Sequence, residues 1–248
     1  MTALPFEPPL DWTGILQFLR ARAIPGLEYV DESSYRREGV SISLNPSGSA
    51  LLLDTADSYA ATRARHLFDL DASPRKIRRH FGKDPLLRLR PGLRVPGCWD
   101  PFELAVRAVV GQQVSVKGAT TMMGRLYERS GLKPETLAES DLSGVGLTRS
   151  RAETLRALAA VTLGEGLSVD SLSRIRGIGP WTVQYIAMRA FKDRDAFPAE
   201  DLILRRAAST NGQPLSARQL LALAESWRPY RAYAVIALWQ AYAERLAK

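Results

Sequence analysis

Gly177-Ile178-Gly179-Pro180 constrains this chain more than any other run in it. Helix-forming sequence stands on both sides, Leu172-Ser-Arg-Ile-Arg before and Trp181-Thr-Val-Gln-Tyr-Ile after. The four residues between cannot continue a helix, so the chain has to turn tightly there. Proline suits a first helical position, where its missing N–H has no partner to lose. The glycines permit positive φ and a close approach of the backbone. Backbone N–H groups at the positive end of the following helix form an anion site, and Arg174 and Arg176 flank it. Ile178 supplies the apolar plug such a turn needs between its helices. An ordinary helix–helix turn is the competing reading. The longer pattern of Leu172, Ile175, Gly177, Ile178, Gly179 and Thr182 favours a phosphate-binding hairpin.

The rest of the chain narrows the setting. Its 248 residues suffice for one large domain or two ordinary ones. With 46% hydrophobic and 24% charged residues, it has the composition of a folded domain rather than a disordered one. The net charge of +8 fits a polyanionic partner and, equally well, a solvated basic surface. One cysteine, Cys98, rules out an internal disulfide and a four-thiolate cluster. Only His66 and His80 could add imidazoles, so a His-based metal site is not expected. No catalytic metal and no required cofactor enter the expected chemistry. Met1 to Leu10 lacks the charged-then-apolar pattern of a signal peptide. No apolar run reaches the roughly 18 residues of a membrane span. A cytoplasmic, nucleoid-associated location is the expectation.

Along the chain, residues 12–23 read as an amphipathic helix, and residues 27–54 as two or three antiparallel strands around an Asn45-Pro-Ser-Gly turn. Residues 59–70 read as a helix, with Asp57 or Ser58 as N-cap. Arg88-Leu-Arg-Pro-Gly-Leu-Arg-Val-Pro-Gly-Cys-Trp is rich in proline and glycine and marks a domain boundary near residue 95. Beyond it the pattern is helical. Asp100-Pro-Phe-Glu reads as a capping box with proline at the first helical position. Further helices are expected at 115–129, 149–163, 180–191, 201–209, 216–226 and 230–246. The fold class is therefore α+β, with a small N-terminal antiparallel sheet plus helices over 1–95. A mostly helical domain covers 96–248, with the hairpin within 172–192.

The helix after the hairpin carries a second signal. At 100° per residue, Val183, Ile186, Ala187 and Ala190 share one face, which is the core face. Trp181, Tyr185 and Met188 share the opposite one. Large aromatics there either pack under another helix or line a cleft able to stack a nucleobase. Twenty residues after Trp181, Asp201 stands where a helix begins. It can serve as N-cap and, beside an aromatic cleft, as a catalytic carboxylate. Glu200 competes with it, and helical spacing does not decide between them.

These residues resemble the helix–hairpin–helix DNA glycosylase superfamily, in particular its 3-methyladenine DNA glycosylase II branch. The resemblance covers nearly the whole chain: Pro8-Pro-Leu-Asp-Trp12, Phe18-Leu-Arg-Ala-Arg-Ala23, Arg90-Pro-Gly-Leu-Arg-Val-Pro-Gly97, Phe102 to Ser115 with its Val-Gly-Gln-Gln-Val-Ser, Gly177-Ile-Gly-Pro-Trp-Thr182 and Trp227-Arg-Pro-Tyr-Arg-Ala-Tyr-Ala234. It implies an N-terminal sheet and two helical lobes around a cleft. It implies Asp201 as the catalytic aspartate, and Trp181, Tyr185 and Trp239 as walls of the base pocket. Gly177 and Gly179 become the phosphate-binding hairpin, whose carbonyls at Ser173, Ile175 and Ile178 would hold a structural Na+ or K+. Gln113 stands where the best-known member has a leucine wedge that fills the gap of a flipped nucleotide. Leu202 and Gln240 stand where that member has tyrosines, which implies a wider, less aromatic pocket with an altered lesion range.

The implied activity is excision of alkylated purines such as 3-methyladenine from duplex DNA during base excision repair. The nucleotide is flipped, and a monomeric enzyme hydrolyses its N-glycosidic bond. Pro180 and Trp181 occupy the place where bifunctional relatives carry a Schiff-base lysine, so no strand-cleaving lyase activity is expected. Two other readings stand beside this one: a hairpin module that only binds DNA, and a glycosylase for neutral lesions such as hypoxanthine or 8-oxoguanine.

Overall fold

A computed structural model describes residues 1–82, 84–87, 89–210 and 212–246. Arg88, which opens the proline- and glycine-rich run, and the last two residues of the 96–248 domain lie outside the described residues.

The N-terminal region forms a five-stranded antiparallel sheet: β1 (Thr2–Pro5), β2 (Glu28–Val30), β3 (Ser34–Arg37), β4 (Val40–Leu44) and β5 (Ala50–Asp54), in the order β1-β5-β4-β3-β2. In β4 the inward Val40 and Ile42 alternate with Ser41 and Ser43, the half-buried period of two. Asn45 closes the β4–β5 hairpin, its Oδ1 accepting the N–H groups of Ser49 (2.9 Å) and Ala50 (3.1 Å). The sheet has more strands than the expected two or three. β1 comes from the first ten residues, whose apolar side chains are too few for a periodic pattern. It exists because β5 offers it an edge.

Helices α1 (Trp12–Arg20) and α2 (Ala60–Leu67) cover the sheet, and α3 (Pro74–Phe81) leads away from it. Helix α2 is shorter than residues 59–70 suggested, and neither Asp57 nor Ser58 caps it. Asp57 Oδ1 instead accepts the Tyr59 N–H (2.8 Å) in the preceding turn, and Tyr59 is an N-cap without a side-chain bond. The core under the sheet gathers Leu16, Tyr35, Ile42, Leu51, Phe68 and Trp99.

The remaining helices are α4 (Pro101–Val110), α5 (Val116–Ser130), α6 (Pro134–Glu139), α7 (Arg149–Gly164), α8 (Val169–Ser173), α9 (Pro180–Ala190), α10 (Leu202–Ala207), α11 (Ala217–Ala224) and α12 (Arg231–Leu246). Asp100 caps α4 as expected, accepting the N–H groups of Phe102 (2.8 Å) and Glu103 (3.0 Å). The reciprocal half of the capping box is absent. Glu103 turns away to form a bidentate ion pair with Arg37 on β3, at 2.8 and 3.0 Å. A buried charged partner is the stronger attraction for that carboxylate.

Helix α9 is the central element of the larger core. It packs on α4, which packs in turn on α7. Residues from before position 95, among them Ile24, Leu27, Ile77, Phe81 and Leu87, also contribute to this core. Polar ties reinforce the junction. Arg189 of α9 donates to the carbonyls of Pro96 and Gly97, both at 2.8 Å. The Tyr233 hydroxyl of α12 donates to Asp69 at 2.8 Å.

Candidate active site between α9, α10 and α12

A cavity of about 760 Å³ opens where α1, α4, α9, α10 and α12 converge. Trp181 and Tyr185 line it from α9, Asp201 from the start of α10, Trp239 and Gln240 from α12, and Arg107 from α4. Helical spacing explains the first pair, since residues four apart stand one above the other. The Trp181 and Tyr185 rings are stacked at 5.2 Å with 13° between their planes, and Trp239 lies 6.3 Å from Tyr185. Tyr185 and Met188 are buried, so the face opposite the core face is not a solvent face. Of the three residues on it, Trp181 and Tyr185 reach this cavity. Met188 lines another, between α9 and α12.

Asp201 is fixed from three sides. Its Oδ1 accepts the Leu204 N–H at 2.9 Å, the N-cap bond of α10. Its Oδ2 accepts Trp181 Nε1–H at 2.9 Å, and Trp239 Nε1 lies 3.5 Å from Oδ1. The two aromatic walls therefore hold the carboxylate as well as framing the space beside it. Glu200 is exposed and bonds to neither indole, so the geometry separates the two acids that the sequence left level.

The floor of the cavity is cationic, which no sequence pattern indicated. Arg189 Nη1 donates to the Tyr185 hydroxyl, and Arg22 and Arg107 stand close enough to act on it electrostatically. Burial raises the pKa of this phenol, but the attraction of Arg189, Arg22 and Arg107 prevails and holds it below the ordinary tyrosine value. Burial also pulls the Arg107 guanidinium down to about 10.

The hairpin lies between α8 and α9. Gly177 has φ +93°, and a Cβ there would sit 2.2 Å from Thr154 Oγ1, so both conformation and space demand glycine. Gly179 does not use the positive φ that glycine permits. Its φ of −88° with ψ 174° is extended backbone, and a Cβ there would meet nothing within 4 Å. Its lack of a side chain leaves the surface open in front of the α9 N-terminus. Among the described residues, the N–H groups of Gly177 and Gly179 donate no backbone hydrogen bond. Leu172, Ile175 and Ile178 are buried beneath the turn. Arg174 is paired with Glu165, leaving Arg176 as the exposed flanking cation. The Ile175 carbonyl accepts the Ile178 N–H at 3.0 Å and retains a second lone pair.

Gln113 is exposed on the turn between α4 and α5, with φ +56°. Sequence reading passed over its neighbour Gln112, whose side-chain amide donates to the Gly177 carbonyl (2.9 Å) and to Thr182 Oγ1 (3.1 Å). The turn bearing Gln113 is thereby tied to the hairpin. Gln240 lines the cavity, whereas Leu202 is 45% exposed and its place on the wall is taken by Ile203.

Comparison with known proteins agrees with this architecture. Residues 1–100 match the AlkA N-terminal domain, and residues 106–229 match the HhH-GPD superfamily of base excision DNA repair proteins. The chain is 38% identical to the probable bifunctional transcriptional activator/DNA repair enzyme AlkA of Mycobacterium tuberculosis, over 95% of this chain and 56% of that protein. It thus spans little more than half the length of that relative. It is 31% identical to DNA-3-methyladenine glycosylase 2 of Escherichia coli, over 96% of both chains. Among solved structures, the 3-methyladenine DNA glycosylase of Archaeoglobus fulgidus superposes with a TM-score of 0.80 at 21% identity, over 98% of both chains, a likeness of fold.

Proposed function

The chain belongs to the HhH-GPD superfamily of base excision DNA repair proteins, and on that premise we propose that it is a monofunctional DNA glycosylase releasing alkylated purines of the 3-methyladenine type from duplex DNA. The observation that carries this reading is the Asp201 carboxylate, held by the indole N–H of Trp181 at 2.9 Å at the wall of an aromatic cavity. A module that only binds DNA needs the hairpin and has no use for an oriented acid beside a cavity of about 760 Å³.

In this reading Gly177 to Gly179 and the α9 N-terminus bind a DNA phosphate. Gln113, exposed on its turn, fills the gap left by the flipped nucleotide. The alkylated base enters the cavity and stacks against Trp181, Tyr185 and Trp239. Alkylation makes the base a good leaving group, so its glycosidic bond breaks without a strong acid. The sugar becomes oxocarbenium-like, and Asp201 stabilises that charge and orients the attacking water. Among the described residues lining the cavity there is no lysine, which supports hydrolysis without Schiff-base chemistry. The hairpin, the acid and the aromatic walls all come from one chain, which supports action as a monomer. The carbonyls of Ser173, Ile175 and Ile178 are oxygen donors of the kind a Na+ or K+ ion takes, and such an ion would brace the hairpin. The division into domains near residue 95 and a cytoplasmic, nucleoid-associated location belong to the same reading.

The test is base release from methylated duplex DNA. Asp201→Asn can keep the N-cap acceptor at Oδ1, which Trp239 also approaches, but it sets an amide NH2 against the Trp181 indole and removes the charge. It is expected to bind duplex as wild type does and to excise about 10²–10³-fold more slowly. Normal excision by this variant, or a borohydride-trapped adduct with wild type, would overturn the assignment.

A further inference from the structure

Helix α3 carries a charge pattern that neither the hairpin nor the cavity uses. Its eight residues hold Arg75, Lys76, Arg78 and Arg79 and no acid, which is half of the net +8 of the whole chain. All four are exposed. Arg75 approaches Glu7 at 3.4 Å, whereas Lys76, Arg78 and Arg79 meet no carboxylate among the described residues. Other exposed arginines have acid partners, Arg149 in Glu153 and Arg174 in Glu165. Arg78, Arg79 and His80 suit the negative end of the helix dipole, but Arg75 and Lys76 stand in the first turn, where that dipole favours acids. Like charges three and four residues apart also repel, as Arg75 does with Arg78 and Arg79. The inward face is ordinary, with Ile77 and Phe81 buried in the larger core. The outward face thus works against the helix that carries it, which marks a surface kept for a partner.

The helix lies far from the hairpin. Asp71, two residues before the Ser73 cap of α3, pairs with Lys192 (3.4 Å) just beyond the end of α9. At the other end of α3, His80 packs against Tyr230, 5.2 Å between rings, just before α12. The hairpin stands at the opposite end of α9, about 16 Å away along its eleven residues. A duplex lying across the hairpin therefore leaves α3 facing solvent. We propose that α3 is a second, sequence-independent duplex-binding surface, which engages a neighbouring segment of DNA while the hairpin still holds the first. This inference rests on the reading that the chain acts on duplex DNA. Four cations within five residues neutralise a run of phosphates and release the counterions condensed on them. Phosphate contacts of this kind position a protein on DNA without reading its sequence. A lipid surface fits less well, because the large apolar residues of α3 are buried in the core and leave nothing to insert. Contact with two segments at once lets the protein pass from one to the next without entering free solution, which shortens the search for a rare damaged base.

Handover between segments has a kinetic signature. A labelled undamaged duplex bound to the protein is displaced at low salt by increasing amounts of unlabelled duplex. Dissociation into solution proceeds at one rate whatever the chase concentration, whereas handover makes the rate rise with it. Wild type is expected to show the rise. The triple variant Lys76→Gln, Arg78→Gln, Arg79→Gln is expected to lose at least about fivefold of its slope. These side chains are exposed and glutamine is a good helix former, so melting is expected within about 2 °C of wild type. Single-turnover release of 7-methylguanine needs one segment only and is expected to stay within about twofold. The pair Arg78→Lys, Arg79→Lys is expected to keep the slope within about twofold of wild type, because a phosphate surface asks for charge and not for a planar fork. A wild-type rate independent of the chase, a triple variant with an unchanged slope, a lysine pair as impaired as the triple variant, or binding of phosphatidylglycerol vesicles in place of a second duplex would each overturn the proposal. A wild type that hands duplex over but releases no base would remove the glycosylase reading and leave this inference standing. A wild type that binds no duplex would remove both.

Discussion

Trp181 combines two roles in one side chain. Its ring stacks on Tyr185 at 5.2 Å, and its indole N–H holds Asp201 at 2.9 Å. The roles can be separated. Trp181→Phe keeps an aromatic surface and removes the donor. A hydrogen bond to a charged acceptor contributes about 1.5–3 kcal/mol, so kcat is expected to fall about ten- to a hundredfold. KM for a methylated duplex is expected to change little. A rise in KM with kcat preserved would mean that the ring and not the N–H matters. The sequence identified both residues of this pair as candidates. It could not show the bond between them, because a separation of twenty residues carries no distance.

At the scale of elements, the hairpin shows two glycines doing different work. Gly177 is required by the fold; Gly179, in the proposed reading, is required by the phosphate that would approach it. Gly177→Ala puts a side chain at φ +93° and against Thr154, so a loss of about 2 kcal/mol or more and a lower melting temperature are expected. Gly179→Ala enters open space from an extended backbone and is expected to melt within about 0.5 kcal/mol of wild type. The same methyl intrudes where a phosphate would sit, so duplex affinity is expected to fall. Thermal melting and duplex titration of the two variants check the contrast. The turn itself was plain from Gly-x-Gly-Pro. The difference between its glycines depends on α7, which brings Thr154 against one of them.

At the scale of the molecule, the sheet region and the helical region are joined by buried polar groups. His66 is one of them, its Nε2 lying 2.9 Å from the Arg189 carbonyl. Burial holds its pKa below the usual 6.5, so the folded protein prefers the neutral ring. The folded pKa is the lower one. The stability this group contributes is therefore complete above pH 6.5 and is lost as pH falls through the folded value. His66→Gln is expected to flatten the pH dependence of melting between about pH 7.5 and about pH 5. An unchanged slope would assign that dependence to other groups.

The amino-acid sequence by itself determined what is local or periodic. Most helix positions beyond residue 100 (α6 was not foreseen), the α4 and α10 caps at Asp100 and Asp201, the hairpin turn and the aromatic stripe on α9 follow from spacing and backbone chemistry that act within a few residues. Strand β1, Glu103 turning from its cap to Arg37, the tie from Gln112 to Gly177, the bond of the Trp181 indole to Asp201 and the cationic floor around Tyr185 were decided only by tertiary structure. Each of these depends on which distant backbone or side-chain group arrives close by, where hydrogen bonds and buried charges act. That proximity is set by packing the whole core around α9, and no single stretch of the chain encodes it.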